Sequence, residues 1–264
     1  MEKLNDVNKT LYIPLYGKAL VSKKGIIIND KKAEEIWDSQ QFLLKGKAKS
    51  KWLAYYMGMR SAVFDKWVIE ELDKYPNSVV IHLGCGLDSR NERVKAMPCQ
   101  WYDVDFEAVI DERKRYYKET AYYHMVSADI RETVFVDKLL KADSAIVVLE
   151  GISMYLTNDE LKQILSKLNQ KYPNLSVLVD CYTPFAVKMS KIKNPINSVG
   201  VTKVYGIESP KILQENTGLS FVKEREITPK YLIDQLSGYE KFIFKLIYAG
   251  KTSKKLYKLF EYKS

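Results

Sequence analysis

Residues Val79–Arg90 read "VVIHLGCGLDSR": an apolar run that predicts a buried strand, cut off by two glycines and followed by an acid and a base. In an open parallel sheet, ligands bind beyond the carboxyl ends of the strands, where strand order reverses. Glycines at such a tip admit unusual dihedrals and let a ligand approach the main chain. The dinucleotide fingerprint G-x-G-x-x-G would put a third glycine at the position of Ser89, and Asp88 stands just before it, so a diphosphate is poorly served. A lone G-x-G also fits a plain structural turn.

The flanking sequence places this tip in a repeating pattern. Residues from about 30 to 75 read as helices, with apolar positions at Leu53, Tyr56, Met57, Val63, Phe64, Trp67 and Val68 and a stop at the "YPN" of 75–77. After "SVVIHLG" come four more strand candidates, "CQWYDVDF", "YYHMVSAD", "SAIVVLEG" and "LSVLVDCYT". Between them lie the helical segments "EAVIDERKRYYKET", "ETVFVDKLLKA" and "TNDELKQILSKLNQKY", the last with its own N-cap at Thr157 or Asn158. Strands alternating with helices imply right-handed βαβ crossovers and a parallel sheet covered on both faces, an α/β class. The runs "EKFIFKLIYAG" and "KKLYKLFEYK" are expected to close the chain as an antiparallel hairpin at the sheet edge. A single domain over 1–264 is expected, with a helical cap (1–76), a cofactor-binding core (77–183), a proline- and glycine-containing lid insertion (184–218) and C-terminal strands (219–264).

Composition narrows the function classes. The chain of 264 residues is 46% hydrophobic and 28% charged, ordinary for a globular protein. Its N-terminus carries no apolar core of a signal peptide, and no run of eighteen or so apolar residues predicts a membrane span. Cys85, Cys99 and Cys181 are too few and too scattered for a metal cage or a disulfide framework, so no metal is expected and a reducing cytoplasm fits best. The net charge of +9 invites a nucleic-acid reading, yet of 42 basic residues only seven are arginines, and the lysines are spread along the whole chain. A solvated lysine-rich surface is the simpler reading.

Several residues converge on one ligand class. Arg60 falls on the apolar stripe shared by 56, 57, 63, 64 and 67, and a guanidinium on a buried face requires an anionic partner. That partner is either internal, Asp88 or Glu150, or the carboxylate of an amino-acid-like ligand. Asp105 ends the second strand, 19 residues beyond Gly86, where a ribose diol or the cap of the next helix would use it. Asp129 follows the third strand, within reach of an adenine amino group, and Glu150 ends the very apolar fourth strand, where a carboxylate is costly to bury unpaired. An α-carboxylate, an α-amine, a ribose and an adenine all occur in S-adenosylmethionine.

In this order, "VVIHLGCGLDSR", "WYDVDFEAVIDERK", "VSADIRE" and "LEGISMYLTNDE" resemble the leucine carboxyl methyltransferase family, most closely its bacterial branch of polyketide and small-molecule O-methyltransferases. The resemblance spans roughly residues 50–183, and "TKVYGIE" is similar to the family's lid. It implies a class I S-adenosylmethionine-dependent methyltransferase fold, Rossmann-like, with seven mostly parallel strands, extra helices and a lid. It also implies that Arg60 grips the cofactor's carboxylate and that Gly84, Cys85 and Gly86 lie under its methionine moiety. Asp105 would hold the ribose and Asp129 with Ile130 the adenine, and Glu150 is the acid after the fourth strand. S-adenosylhomocysteine would be the product. Arg90 and Arg93 are similar to basic residues of this loop, and His82 stands where the family is often small or polar.

The expected reaction is direct methyl transfer to a small-molecule carboxylate, phenol or hydroxyl, the protein aligning the reactants and excluding water. Tyr155 is the candidate substrate-facing residue, no catalytic base is assigned, and His124, inside the third strand, reads as structural. The lysine and asparagine content of the insertion points to a polar or acidic acceptor. The alternatives are a nucleic-acid methyltransferase using the basic surface and a cofactor-binding protein without activity. Neither a nucleic acid nor a membrane is expected as a partner, and the sequence does not set the oligomeric state.

Overall fold

The computed structural model describes residues 10–40, 43–44, 46–94, 99–193, 203–250 and 254–264. Three helices, α1 (Tyr12–Lys23), α2 (Lys31–Ser39) and α3 (Lys51–Lys74), precede the first strand. Then follow β1 (Val79–Leu83), α4 (Arg90–Val94), β2 (Trp101–Asp105), α5 (Glu107–Arg113), β3 (Tyr123–Ser127), β4 (Ser144–Leu149), α6 (Asn158–Lys171) and β5 (Asn174–Tyr182). The last third holds α7 (Pro184–Lys193), β6 (Ser220–Glu224), α8 (Lys230–Ile233), α9 (Gly238–Tyr248) and β7 (Tyr257–Lys263). The seven strands form one sheet in the order β3-β2-β1-β4-β5-β7-β6. β1 to β5 are parallel, and β7 runs antiparallel to both β5 and β6. Strand order reverses between β1 and β4, so the ligand crevice is set at their carboxyl ends.

Period-two side-chain alternation explains the two cores. Val80, Ile146, Val148 and Leu178 face α1 and α3, where Phe64 and Trp67 are fully buried. Ile81, Leu83, Val147 and Val177 face α6, against Leu161, Ile164 and Leu165. The start of α6 is a complete capping box: the Thr157 hydroxyl accepts from the Glu160 amide, and the Glu160 carboxylate accepts from the Thr157 amide.

The structure departs from the sequence expectations in two elements. The run "EKFIFKLIYAG" is not a strand but mostly helix α9, and the antiparallel edge is built from β6 and β7 instead. Phe242, Phe244, Leu246 and Tyr248 alternate as strand residues do, but Phe244 is buried while Phe242 and Leu246 are exposed. "ETVFVDKLLKA" forms a short 3-10 turn at Thr133–Lys138 rather than an α-helix. Of the expected lid, 184–218, residues 194–202 lie outside the described residues.

The two glycines at the tip of β1 answer to different constraints. Gly84 has φ +66°, and a methyl there would collide with Ile152 Cγ2. Gly86 has φ +53°, and a methyl there would meet only Leu11 Cβ, at 3.5 Å. Gly84 is thus glycine because the β4 exit crowds it, and Gly86 because its backbone conformation demands it while its outer side stays open. Gly84→Ala is expected to destabilise the chain by about 2–5 kcal/mol, from left-handed strain plus overpacking, measurable by urea unfolding. A loss below 0.5 kcal/mol would contradict this account.

Candidate active site

At the β1/β4 switch point lies a cavity of about 640 Å³. Arg60, Gly84, Cys85, Gly86, Asp105, Asp129, Ile130, Glu150 and Tyr155, the nine positions singled out from sequence, all line it. Six pieces of the fold deliver them: the inward face of α3, the exits of β1, β2, β3 and β4, and the turn at Ser153–Tyr155.

Beneath the cavity is a buried ion network. Arg60 is 4% exposed, with Nε 3.0 Å from Glu150 Oε1 and Nη1 2.9 Å from Asp180 Oδ2. Arg90, fully buried, donates to Asp65 at 2.7 Å, lies 3.2 Å from Asp88 and also pairs with Glu150. Arg93 reaches Asp30 at 2.6 Å, Asp88 at 2.6 Å and Asp65 at 2.7 Å. Lys18, from α1, sits 2.8 Å from Asp88 and lines the same cavity. Of the two internal partners considered for Arg60, Glu150 is the one found. Asp180 was missed, although "VLVD" carries the same signal as "VVLE": a carboxylate after an apolar strand. Lys18 was missed too, its signal being a lysine inside an apolar helical stretch.

Electrostatics separate the two acids. Burial works against the Glu150 carboxylate, but Arg90 and Arg60 together hold it down to about 2. For Asp180, burial and the charge of Glu150 outweigh Arg60 and the Gly151 amide, and its carboxyl is pushed up to about 6. Asp180 Oδ1 accepts from Gly151 N at 2.7 Å, so this one side chain fixes both the Arg60 guanidinium and the β4 exit.

The glycine and carboxylate side shows three features that fit an amino acid joined to a nucleoside. Arg60 Nη2 makes no hydrogen bond among the described residues and lies 3.2 Å from where a Gly151 Cβ would stand. The Asp105 carboxylate accepts from the Gly86 and Phe106 amides, both at 2.8 Å, which orients it and leaves acceptor capacity on each oxygen. Burial raises the Asp105 carboxyl above the usual range. Asp129 is forked by Arg131, at 2.9 and 3.0 Å from Nε, beside Ile130 at the cavity wall.

Part of the cavity wall is aromatic, built of Tyr56, Tyr155, Tyr182, Tyr248 and Tyr257 with Met189. The Tyr182 and Tyr257 rings pack edge to face at 4.8 Å, and Tyr257 accepts from Arg60 Nη1 at 3.3 Å. Of the lysines and asparagines from which a polar or acidic acceptor is expected, Asn194 and Asn197 lie outside the described residues. His124 lies off the cavity, bonded to Gln100 at 2.7 Å and stacked on Tyr102. His82 lines the cavity, 2% exposed, with Nδ1 3.5 Å from Asp103 Oδ1. Among the described residues no helix is long and apolar enough to cross a membrane.

The sheet order, the switch-point cavity and its acids define an S-adenosylmethionine-dependent methyltransferase of class I. The chain belongs to the leucine carboxyl methyltransferase family, whose model matches residues 1–169. It is 27% identical over 247 residues, 91% of this chain and 90% of the relative, to the tetracenomycin polyketide synthesis O-methyltransferase TcmP of Streptomyces glaucescens. It is 26% identical over 191 residues, 66% of this chain and 64% of the relative, to the S-adenosyl-L-methionine-dependent methyltransferase dpfgK of Gibberella zeae. Its fold is shared with magnesium protoporphyrin IX methyltransferase of Synechocystis with bound SAH, at TM-score 0.52 and 12% identity, covering 93% of this chain and 96% of that one.

Because the folded chain holds the Asp180 proton more tightly than the unfolded chain, folding takes up a proton between the two pKa values. Its contribution therefore favours the fold below about pH 4 and is lost as pH rises to about 6, by up to about 3 kcal/mol. Asp180→Asn is expected to remove that fall, seen as a stability difference from wild type that changes between pH 4 and 6 in urea unfolding. A pH-independent difference would contradict the assignment.

Proposed function

We propose that this methyltransferase acts on an oxygen of a small aromatic molecule, a carboxylate or an acidic phenol, in secondary metabolism. The observation that carries this reading is the tyrosine-lined end of the cavity, continuous with the glycine and carboxylate end. A planar aromatic acceptor buries its faces against such rings and needs few polar contacts. The likeness to a polyketide O-methyltransferase supports the same class of acceptor.

In this reading Arg60 Nη2 and Lys18 Nζ receive the cofactor's carboxylate, and Gly84, Cys85 and Gly86 present backbone to its methionine chain. Asp105 accepts from the ribose hydroxyls, and Asp129 and Ile130 border the adenine. When bound, S-adenosylmethionine supplies an electrophilic methyl carbon on a cationic sulfur. The buried network holds Lys18, Arg60, Arg90 and Arg93 against Asp30, Asp65, Asp88, Glu150 and Asp180, one acid in excess, which favours a ligand of net positive charge. In the described part of the segment 184–218, Ala186 and Met189 line the cavity.

The protein's contribution is alignment and exclusion of water, since an acceptor that arrives as an anion needs no proton removed. Tyr155 supports this choice: burial pushes its hydroxyl up to about 12, which makes it a donor to the acceptor rather than a base. An aliphatic alcohol, whose proton must be taken, is the poorest fit.

Two measurements test the reading. Arg60→Ala and Asp105→Ala are each expected to raise the dissociation constant for S-adenosylhomocysteine by about tenfold to a hundredfold in calorimetry, as loss of a charge-assisted contact implies. Unchanged affinity in a folded variant would remove that residue from the site. With labelled methyl donor and a panel of aromatic carboxylates, phenols and aliphatic alcohols, label is expected in esters or aryl ethers and not in alkyl ethers. Label in alkyl ethers alone would contradict the acceptor class.

A further inference from the structure

Helix α9 exposes an apolar stripe that nothing in the described chain covers. Tyr239, Phe242 and Leu246, spaced three and four apart, are 73%, 67% and 71% exposed, and Ile247 beside them is also exposed. With Ile247, this one helix supplies four of the fourteen large apolar side chains exposed among the described residues, which makes it a surface and not a scatter of single residues. The opposite side of the helix is anchored: Phe244 is fully buried, and its ring stacks on Tyr248 at 5.4 Å.

The charges around the stripe are positive in balance. Glu240 is bracketed by Lys24 at 3.4 Å and Lys51 at 3.0 Å, and Tyr55 donates to it. Asp234 is likewise held between Lys230 and Lys241. Lys245 is exposed and has no ion-pair partner among the described residues. Five lysines thus face two acids around the apolar residues. A second copy of the same face would set lysine against lysine. A surface that offers acyl chains and phosphates together satisfies both features.

We propose that α9 is an interfacial helix that docks this enzyme on an anionic lipid bilayer, its stripe entering the headgroup region and its lysines meeting the phosphates. Since the contact is peripheral, this asks for no helix long and apolar enough to cross a membrane, and among the described residues there is none. The docked face also adjoins the acceptor end. Tyr248, the last residue of α9, lines the cavity, and so does Met189 of α7, which is itself 43% exposed. An aromatic acceptor with its acidic group at the bilayer surface would therefore meet the cavity beside the membrane.

The test is flotation of the full chain with vesicles of phosphatidylcholine alone or of phosphatidylcholine with phosphatidylglycerol. The protein is expected to float with the anionic vesicles, to do so less as salt is raised, and to stay behind with the neutral ones. Phe242→Glu with Leu246→Glu is expected to lower the partition by at least about tenfold, and Lys245→Glu by about fivefold. Affinity for S-adenosylhomocysteine stays unchanged in both, which separates this surface from the cofactor site. Any of three results would overturn the proposal: no flotation of the wild-type chain with anionic vesicles, undiminished flotation of both variants, or a wild-type dimer that these substitutions dissociate.

Discussion

The structure turns on the pairing of Arg60 with Glu150 across the switch point. Arg60 comes from a long helix that precedes the sheet, and Glu150 from the exit of β4, the most apolar strand. A buried carboxylate or guanidinium is stable only when opposed, and removing one member of such a pair typically costs about 3–5 kcal/mol. The pair therefore fixes where α3 lies on the sheet. Because Arg90 also holds Glu150, and Asp65 and Asp88 hold Arg90 in turn, the exits of β1 and β4 are bound to the helical layer as one unit. The crevice between those two exits is consequently rigid before any ligand arrives, the preorganisation that positions reactants.

Rigidity at the glycine and carboxylate end contrasts with the aromatic end. There the wall is assembled from rings borne on α3, the turn after β4, β5, α9 and β7, held by edge-to-face and tilted contacts rather than by ion pairs. Such contacts contribute less and tolerate rearrangement better than a buried charge network. The electrostatic half is therefore hard to alter and the aromatic half easy.

Much of this was legible in the chain, for identifiable reasons. β1 and β4 announce themselves as short apolar runs ended by glycine or by a carboxylate. Arg60 is visible because helical spacing forces it onto a buried face. Partners in the network were harder, since ion pairing between residues 60, 150 and 180 depends on which strands become neighbours. Of the aromatic wall only Tyr155 was legible: the five tyrosines run from position 56 to 257 among 19 in the chain, and no spacing rule links them. Helix α9 was misread because alternation of large apolar residues is the strand signal, and only the exposure of Phe242 and Leu246 shows that a helix has left that side uncovered.

The most direct test of the central claim is a crystal structure of the chain with S-adenosylhomocysteine. The account places the ligand's carboxylate against Arg60 and Lys18, with the Arg60–Glu150 and Arg60–Asp180 pairs intact, and the ribose hydroxyls on Asp105. A ligand bound outside this crevice, or bound there with Arg60 turned away from it, would contradict the account.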